Sequence, residues 1–263
     1  MNINLISHYD HFPNHKPVSD KPCINMYNDE FVTRSTEGSC ALLIEPRSIC
    51  PKAYEYVEKN HKKFKYIFTH DSKLLEMCDN AKMILWGWGN ANYMSYSDKP
   101  KTKNISMVSS KKELCELHKA RKELALMYDG SGIVDCYGTF NGGKYAEIED
   151  YMANYRFSII LENYIDDYWF TEKILNCFAN KVVPIYLGAK KIGEYFNLGG
   201  VLQVKDKSEI ISVIERLTSD ESRAKKVYRR MESAVDDNYN RAKQFPAFEE
   251  WFYKEYGELL NEC

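Results

Sequence analysis

The sequence predicts an α/β protein built from two parallel-sheet units with a helical C-terminus, and three observations carry that prediction. Short apolar, β-like runs alternate with helical runs along most of the chain. A polar, turn-rich stretch, NANYMSYSDKPKTKN (90–104), interrupts the alternation and marks a boundary between units. From residue 208 onward the patterning is helical throughout, with apolar residues recurring at i, i+3 and i+4. Strands separated by helices of this length imply right-handed crossovers and parallel pairing.

Taken in order, NINLIS (2–7), CALLIEP (40–46), FKYIFTH (64–70) and AKMILWGW (81–88) read as strands of the first unit. KAYEYVEKNHKK and SKLLEMC read as helices between them. Past the boundary come NISMVSS as a strand, KKELCELHKARKELALMY as a helix beginning at Lys111, GIVDCYG as a strand and KYAEIEDYMANY as a helix. FSIILEN, VVPIYLG and GVLQVKD follow as strands, with TEKILNCFANK and a short IGEYFN helix between them. The final helices carry Phe245, Phe248, Trp251, Phe252 and Tyr256, an aromatic stripe that reads as packing against a domain.

Composition narrows the classes of function. The 263 residues hold 36 Lys and Arg against 38 Asp and Glu, a formal net charge of −2. Such a near-neutral chain gives no electrostatic case for nucleic acid as a partner. No apolar stretch reaches the roughly 20 residues of a membrane span, and the first residues lack the layout of a signal peptide. The cysteines form no Cys-x-x-Cys pair and several sit in apolar periodic segments. They read as reduced core thiols of a cytoplasmic protein, with no zinc cluster.

Open α/β sheets bind ligands beyond the carboxyl ends of their strands, so the candidate residues are sought there. In FSIILENYIDDYWFTEK the strand ends in Glu162 and Asn163, and Thr171 is a suitable N-cap that leaves Glu172 and Lys173 in the first helical turn. The unpaired amides of that turn, the helix dipole and Lys173 suit a phosphate, while Glu172 suits sugar hydroxyls. Ser109 or Ser110 can cap the helix that follows NISMVSS. Arg121 lies beyond its first turn unless a second helix begins after a break near His118. In the first unit Glu45 closes an apolar strand and is followed by Pro46, and Asp71 or Ser72 can cap the next helix. HYDHFPNH (8–15) offers His8, His11 and His15 at another strand end, read as acceptor contacts or a polar loop before a metal site.

With Glu162-Asn163, Asp167-Tyr168, Thr171-Glu172-Lys173 and VVPIYLG on the page, the stretch resembles glycosyltransferase family 10, the α-1,3/4-fucosyltransferases. SMVSS with HKARKELA, VDCYG, IEPRSI and FTHDSKLL resemble further family segments, although Trp169 and Phe170 stand where the family motif has one residue. The resemblance implies a GT-B fold: two Rossmann-like domains facing a cleft, at 1–100 on the acceptor side and 101–240 on the nucleotide-sugar side, with a helix at 241–263 packing across them. It implies an inverting transfer of fucose from GDP-fucose to a glycan acceptor, with Glu45 as base. Arg121, Asn163, Tyr168, Glu172 and Lys173 would bind the donor, supported by Glu162, Thr171, Ser109 and Ser110, and His8, His11 and Arg47 would face the acceptor. No Asp-x-Asp occurs, so no obligatory metal or other cofactor is expected. The chain looks like the soluble bacterial or viral members. A transferase using another nucleotide sugar such as UDP-xylose, and a non-catalytic nucleotide- or glycan-binding protein, are the rival readings; acceptor, linkage and oligomeric state stay open.

Overall fold

The structure is a computed structural model that describes residues 3–14, 23–89 and 95–261. His15 and the first part of the 90–104 stretch lie outside the described residues. The chain forms two compact units. One comprises Met1–Ala91, Asp166–Trp169 and Pro246–Cys263, and the other Asn92–Ile165 and Phe170–Phe245. The units thus part at residue 91, where the sequence reading divided the chain at 100.

The first unit contains β1 (Ile3–Ile6), β2 (Ile24–Asn28), β3 (Cys40–Leu43), α1 (Pro51–Asn60), β4 (Tyr66–Thr69), α2 (Ser72–Met77) and β5 (Ala81–Met83). Its five strands pair in parallel in sequence order. The run CALL is apolar without alternation because both faces of β3 are covered. Cys40 and Leu42 pack with Met26 and Phe68, whereas Ala41 and Leu43 pack with Tyr54 and Val57. β2 was not among the expected strands, since two asparagines interrupt its apolar pattern. AKMILWGW pairs only as far as Met83, although Trp88 is fully buried and bridges to Ala247.

The second unit runs β6 (Lys103–Val108), α3 (Glu116–Tyr128), β7 (Asp135–Tyr137), α4 (Ile148–Met152), β8 (Tyr155–Leu161), α5 (Glu172–Ala179), β9 (Val183–Leu187), β10 (Leu202–Gln203), α6 (Lys207–Leu217) and α7 (Arg223–Gln244). Its parallel strands lie in the order β10-β9-β8-β6-β7. The chain therefore steps outward from β6 to β7, returns to the other side of β6 as β8, and continues through β9 to β10. That reversal puts the switch in strand order between β6 and β8, and past the carboxyl ends of such strands is the crevice in which open sheets hold ligands. Ile105, Met107, Phe157, Ile159 and Ile185 fill the core with Leu124 of α3 and Ile210 and Ile214 of α6.

Three expected helices differ. The helix after β6 begins at Glu116 with Cys115 as N-cap, not at Lys111, and runs unbroken past His118. Ser109 and Ser110 therefore do not cap it. Ser109 N donates to Tyr137 O at 2.9 Å, Lys111 N to Thr139 Oγ1 and Lys112 N to Ser110 Oγ, each of the latter two at 3.3 Å, so these amides follow strand and loop partners. Gly138 makes that edge possible: φ is +102°, and a Cβ there would lie 2.3 Å from Ser109 O. α4 is confined to Ile148–Met152 behind a capping box of Glu147 and Asp150, and IGEYFN forms one 3₁₀ turn at Ile192–Glu194.

The last helix, α8 (Phe248–Asn261), belongs to the first unit. Its aromatic stripe packs as expected: Phe252 meets Phe12 at 5.1 Å in a tilted pair and Phe68 at 4.9 Å edge to face, between ring centroids. Phe245 packs instead in the second unit, with Phe170 and Phe196. Among the described residues no helix is long and apolar enough to cross a membrane. Phe252→Ala removes a fully buried ring from the face between α8 and the sheet, so urea unfolding of this variant will show a loss of about 3–5 kcal/mol; Phe252→Leu will lose less.

Candidate active site

The crevice of the second unit is organised around a buried carboxylate. Glu162 follows β8, is fully buried, and its own amide pairs with Leu187 O at 2.9 Å. Its Oε1 accepts from Thr171 N at 3.0 Å and its Oε2 from Thr171 Oγ1 at 2.9 Å. Thr171 caps α5 as the sequence predicts, its Oγ1 accepting from Lys173 N at 3.4 Å and Lys173 Nζ at 2.8 Å. Lys173 Nζ also lies 3.4 Å from Glu162 Oε2 and from Glu172 Oε1. Burial pulls the ammonium's pKa down, but Glu172 and Glu162 outweigh it and the net direction is upward.

This corrects part of the sequence reading. The amides of Thr171 and Lys173 are already held by Glu162 and by the Thr171 hydroxyl, so the amino end of α5 is met by a carboxyl group of the protein itself. Glu162 and Thr171 hold the turn; the side chains of Glu172 and Lys173 are partly exposed, at 30% and 29%. Gly188, just past β9, closes the arrangement, since a Cβ there would lie 2.7 Å from Glu162 Cγ.

α3 brings a second set of groups to the same strand end. Cys115 Sγ donates to Asn163 O at 3.3 Å, and Arg121 Nη2 donates to Leu161 O at 2.6 Å. Arg121 is thus at the crevice without any second helix: the late start at Glu116 places it in the second turn. Burial lowers its pKa, opposed by Glu162, Cys115 and Glu172, and guanidinium remains a cation. Sequence reading passed over His118, one turn before Arg121 and buried beside it. Burial, then the neighbouring Arg121, Lys173 and Lys112 cations, push its imidazole down to about 4.

Residues 98–256, more than half of the chain, match the family described as Glycosyltransferase family 10 (fucosyltransferase) C-term. The chain belongs to glycosyltransferase family 10. It is therefore a glycosyltransferase. Its fold is like that of an α1,3-fucosyltransferase crystal structure, with a TM-score of 0.52 at 16% identity over 89% of this chain and 78% of that one. The crystal structure of α1,3-fucosyltransferase with GDP-fucose gives 0.54 at 14% identity over 91% and 79%. Anabaena HepE in complex with UDP-glucose gives 0.55 at 10% identity over 92% and 73%. At these identities the likeness establishes the GT-B class of fold. No curated protein sequence matches the chain.

In the first unit of this family 10 transferase, Glu45 stands exposed just past β3, and its backbone is held on both sides. Asp29 Oδ1 accepts from Glu45 N at 3.0 Å and Ile44 N at 2.8 Å, and Tyr54 Oη donates to Glu45 O at 2.8 Å. Asp29 is buried at a φ of +44°, a strained setting for a residue with a Cβ. Burial pushes its carboxyl up to about 8, opposed by the two amides and reinforced by Glu45 and Glu30. Neither residue carried a sequence signal, since Asp29 follows a strand that was not expected and Tyr54 lies within α1.

Arg47, read as an acceptor contact, is engaged elsewhere. It pairs with both oxygens of Asp71 at 2.6 and 2.8 Å and with Glu58 at 2.6 Å, and lies over the Tyr54 ring. Asp71 caps α2 through Leu74 N at 2.9 Å, and His70 packs on Trp169 at 4.3 Å. Tyr168 is half-buried in the segment 166–169, counted with this unit. His8 pairs with Glu30 at 2.9 Å and is largely exposed, whereas His11 sits against Asn28 at 3.2 Å, its pKa lowered by burial. Among the described residues no group of three or more His, Cys, Asp and Glu is arranged to hold a metal.

Thr171→Val keeps the cap's volume but removes the hydroxyl from Glu162 Oε2, and denaturant titration will register a loss of about 1–3 kcal/mol. Asp29 supplies a pH test. Its folded value of about 8 exceeds the ordinary 3.8, so the folded state retains a proton that the unfolded chain releases. Stability associated with that proton is complete below the ordinary value and lost as pH rises towards 8. The melting temperature of Asp29→Asn relative to wild type will therefore climb between about pH 5 and about pH 8; a constant difference would contradict the assignment.

Proposed function

We propose that this glycosyltransferase transfers fucose from GDP-fucose to a hydroxyl of a glycan acceptor, with inversion and without an obligatory metal. Family membership supports the sugar transfer, and the convergence of Arg121 and Lys173 on the strand end at Glu162 supports a diphosphate leaving group. That convergence is the observation that carries the reading. In this assignment Glu172 takes the ribose hydroxyls, and Asn163 and Tyr168 contact the donor near its sugar.

The reaction is one displacement. An acceptor oxygen bonds to the anomeric carbon as the bond from that carbon to the phosphate oxygen breaks. The electron pair leaves with the nucleoside diphosphate, and the acceptor's proton passes to Glu45. The cations meet charge that develops on the leaving group, which lowers the barrier more than it tightens the ground state. Glu45, exposed and held by its backbone, has the setting of a general base that must accept a proton and release it to water.

A panel of nucleotide sugars assayed for transfer and donor hydrolysis tests the reading. GDP-fucose will be turned over, and turnover of a UDP-sugar instead would reassign the donor. Lys173→Ala and Arg121→Ala will each weaken GDP binding tenfold or more, measured by calorimetry on variants with unchanged melting profiles. Glu45→Gln will lower kcat by about 10²–10⁴ with little change in GDP affinity. Donor affinity unaltered in both cation variants would remove the proposed donor site.

A further inference from the structure

The inward face of α3 presents Cys115, His118 and Arg121 at successive helical turns. The outer two are fixed on the end of β8, Cys115 through Asn163 O and Arg121 through Leu161 O. His118 lies between them, only 9% exposed, and its buried Nδ1 has no hydrogen-bond partner among the described residues. Arg121 Nε, one turn away, is likewise buried and unpartnered. Two orphaned nitrogens on residues one helical turn apart are unusual, because burial without a partner is costly and native proteins keep few such groups.

The surroundings say what kind of partner they would take. The charged groups that act on His118 are Arg121 on its own helix, Lys173 on α5 and Lys112 on the preceding loop, all cations. Such a setting disfavours a protonated imidazole and favours an anionic acceptor. A neutral imidazole has one N–H; placing it at Nδ1 gives an acceptor-only ligand such as a phosphate oxygen something to bind.

We infer that His118 is a third protein ligand of the donor's diphosphate, donating from Nδ1 as a neutral imidazole beside Arg121 and Lys173. This rests on the donor site proposed above. The neutral donor adds a directed hydrogen bond to the leaving group without adding a further positive charge to those of Arg121, Lys173 and Lys112. Arg121, with Nη2 held by Leu161, offers Nε–H to the same group.

Calorimetric titration with GDP, on variants whose circular dichroism and melting temperature match wild type, tests it. His118→Asn keeps an amide nitrogen where Nδ1 stands, whereas His118→Phe keeps the ring volume and lacks the donor. The expected result is a Kd raised about tenfold or more for His118→Phe and within about threefold for His118→Asn. The ratio of wild-type to His118→Phe affinity will be constant between about pH 6 and about pH 8 if the bound imidazole is neutral. A ratio that grows toward the acid end would overturn that protonation state. Lys173→Ala separates the two levels. Weakened GDP binding in Lys173→Ala with none in His118→Phe would overturn the role of His118 and leave the donor site standing. Unchanged binding in both, or no binding of GDP by wild type, would remove the donor site itself.

Discussion

The buried carboxylate of Glu162 is the constraint on which the second unit's crevice depends. A carboxyl group taken out of water needs hydrogen-bond partners for its oxygens, because a buried polar group without them is costly. Here the Thr171 amide, the Thr171 hydroxyl, Lys173 and the positive end of α5 supply them. The strand end, the loop and the first helical turn are thereby locked to one another. Gly188, just past β9, fits against Glu162 with no room for a side chain.

The same constraint explains what could be read from the sequence. Thr171 as a cap and Lys173 in the first turn were legible because capping is local and residue-specific. That the Thr171 amide and hydroxyl meet a buried glutamate was not, because this depends on how a loop folds back. Periodicity found the strands of the second unit but not their order, since an apolar run records burial and not its neighbours. The reversal at β6 and β8, which locates the crevice, is a property of the whole sheet. α3 was placed too early because Lys111 to Leu114 are good helix formers, while the amides of Lys111 and Lys112 have side-chain partners outside a helix.

The first unit was less legible. β2 is hidden by its asparagines, and the residues that fix Glu45 come from distant elements: Asp29 beyond β2 and Tyr54 on α1. Arg47 stands close to Glu45 in sequence, which invited a role at the acceptor. Its planar fork matches the Asp71 carboxylate too well to be left for one, and Asp71 in turn caps α2. Trp169 and Phe170, the pair that exceeds the family motif by one, are both buried, Trp169 against His70 and Phe170 against Phe196 and Phe245.

Lys173 rests between Glu162 and Glu172, with the Thr171 hydroxyl beneath it. On the proposed reaction this resting place matters after the sugar has gone. A cation with no alternative partner would cling to the spent nucleotide, since parting would strand its charge. Lys173 has carboxylates to fall back on, so the protein itself competes for the ammonium and shortens the nucleotide's stay. On the proposed reaction, these contacts temper the hold of the helix start on the by-product and favour repeated cycles.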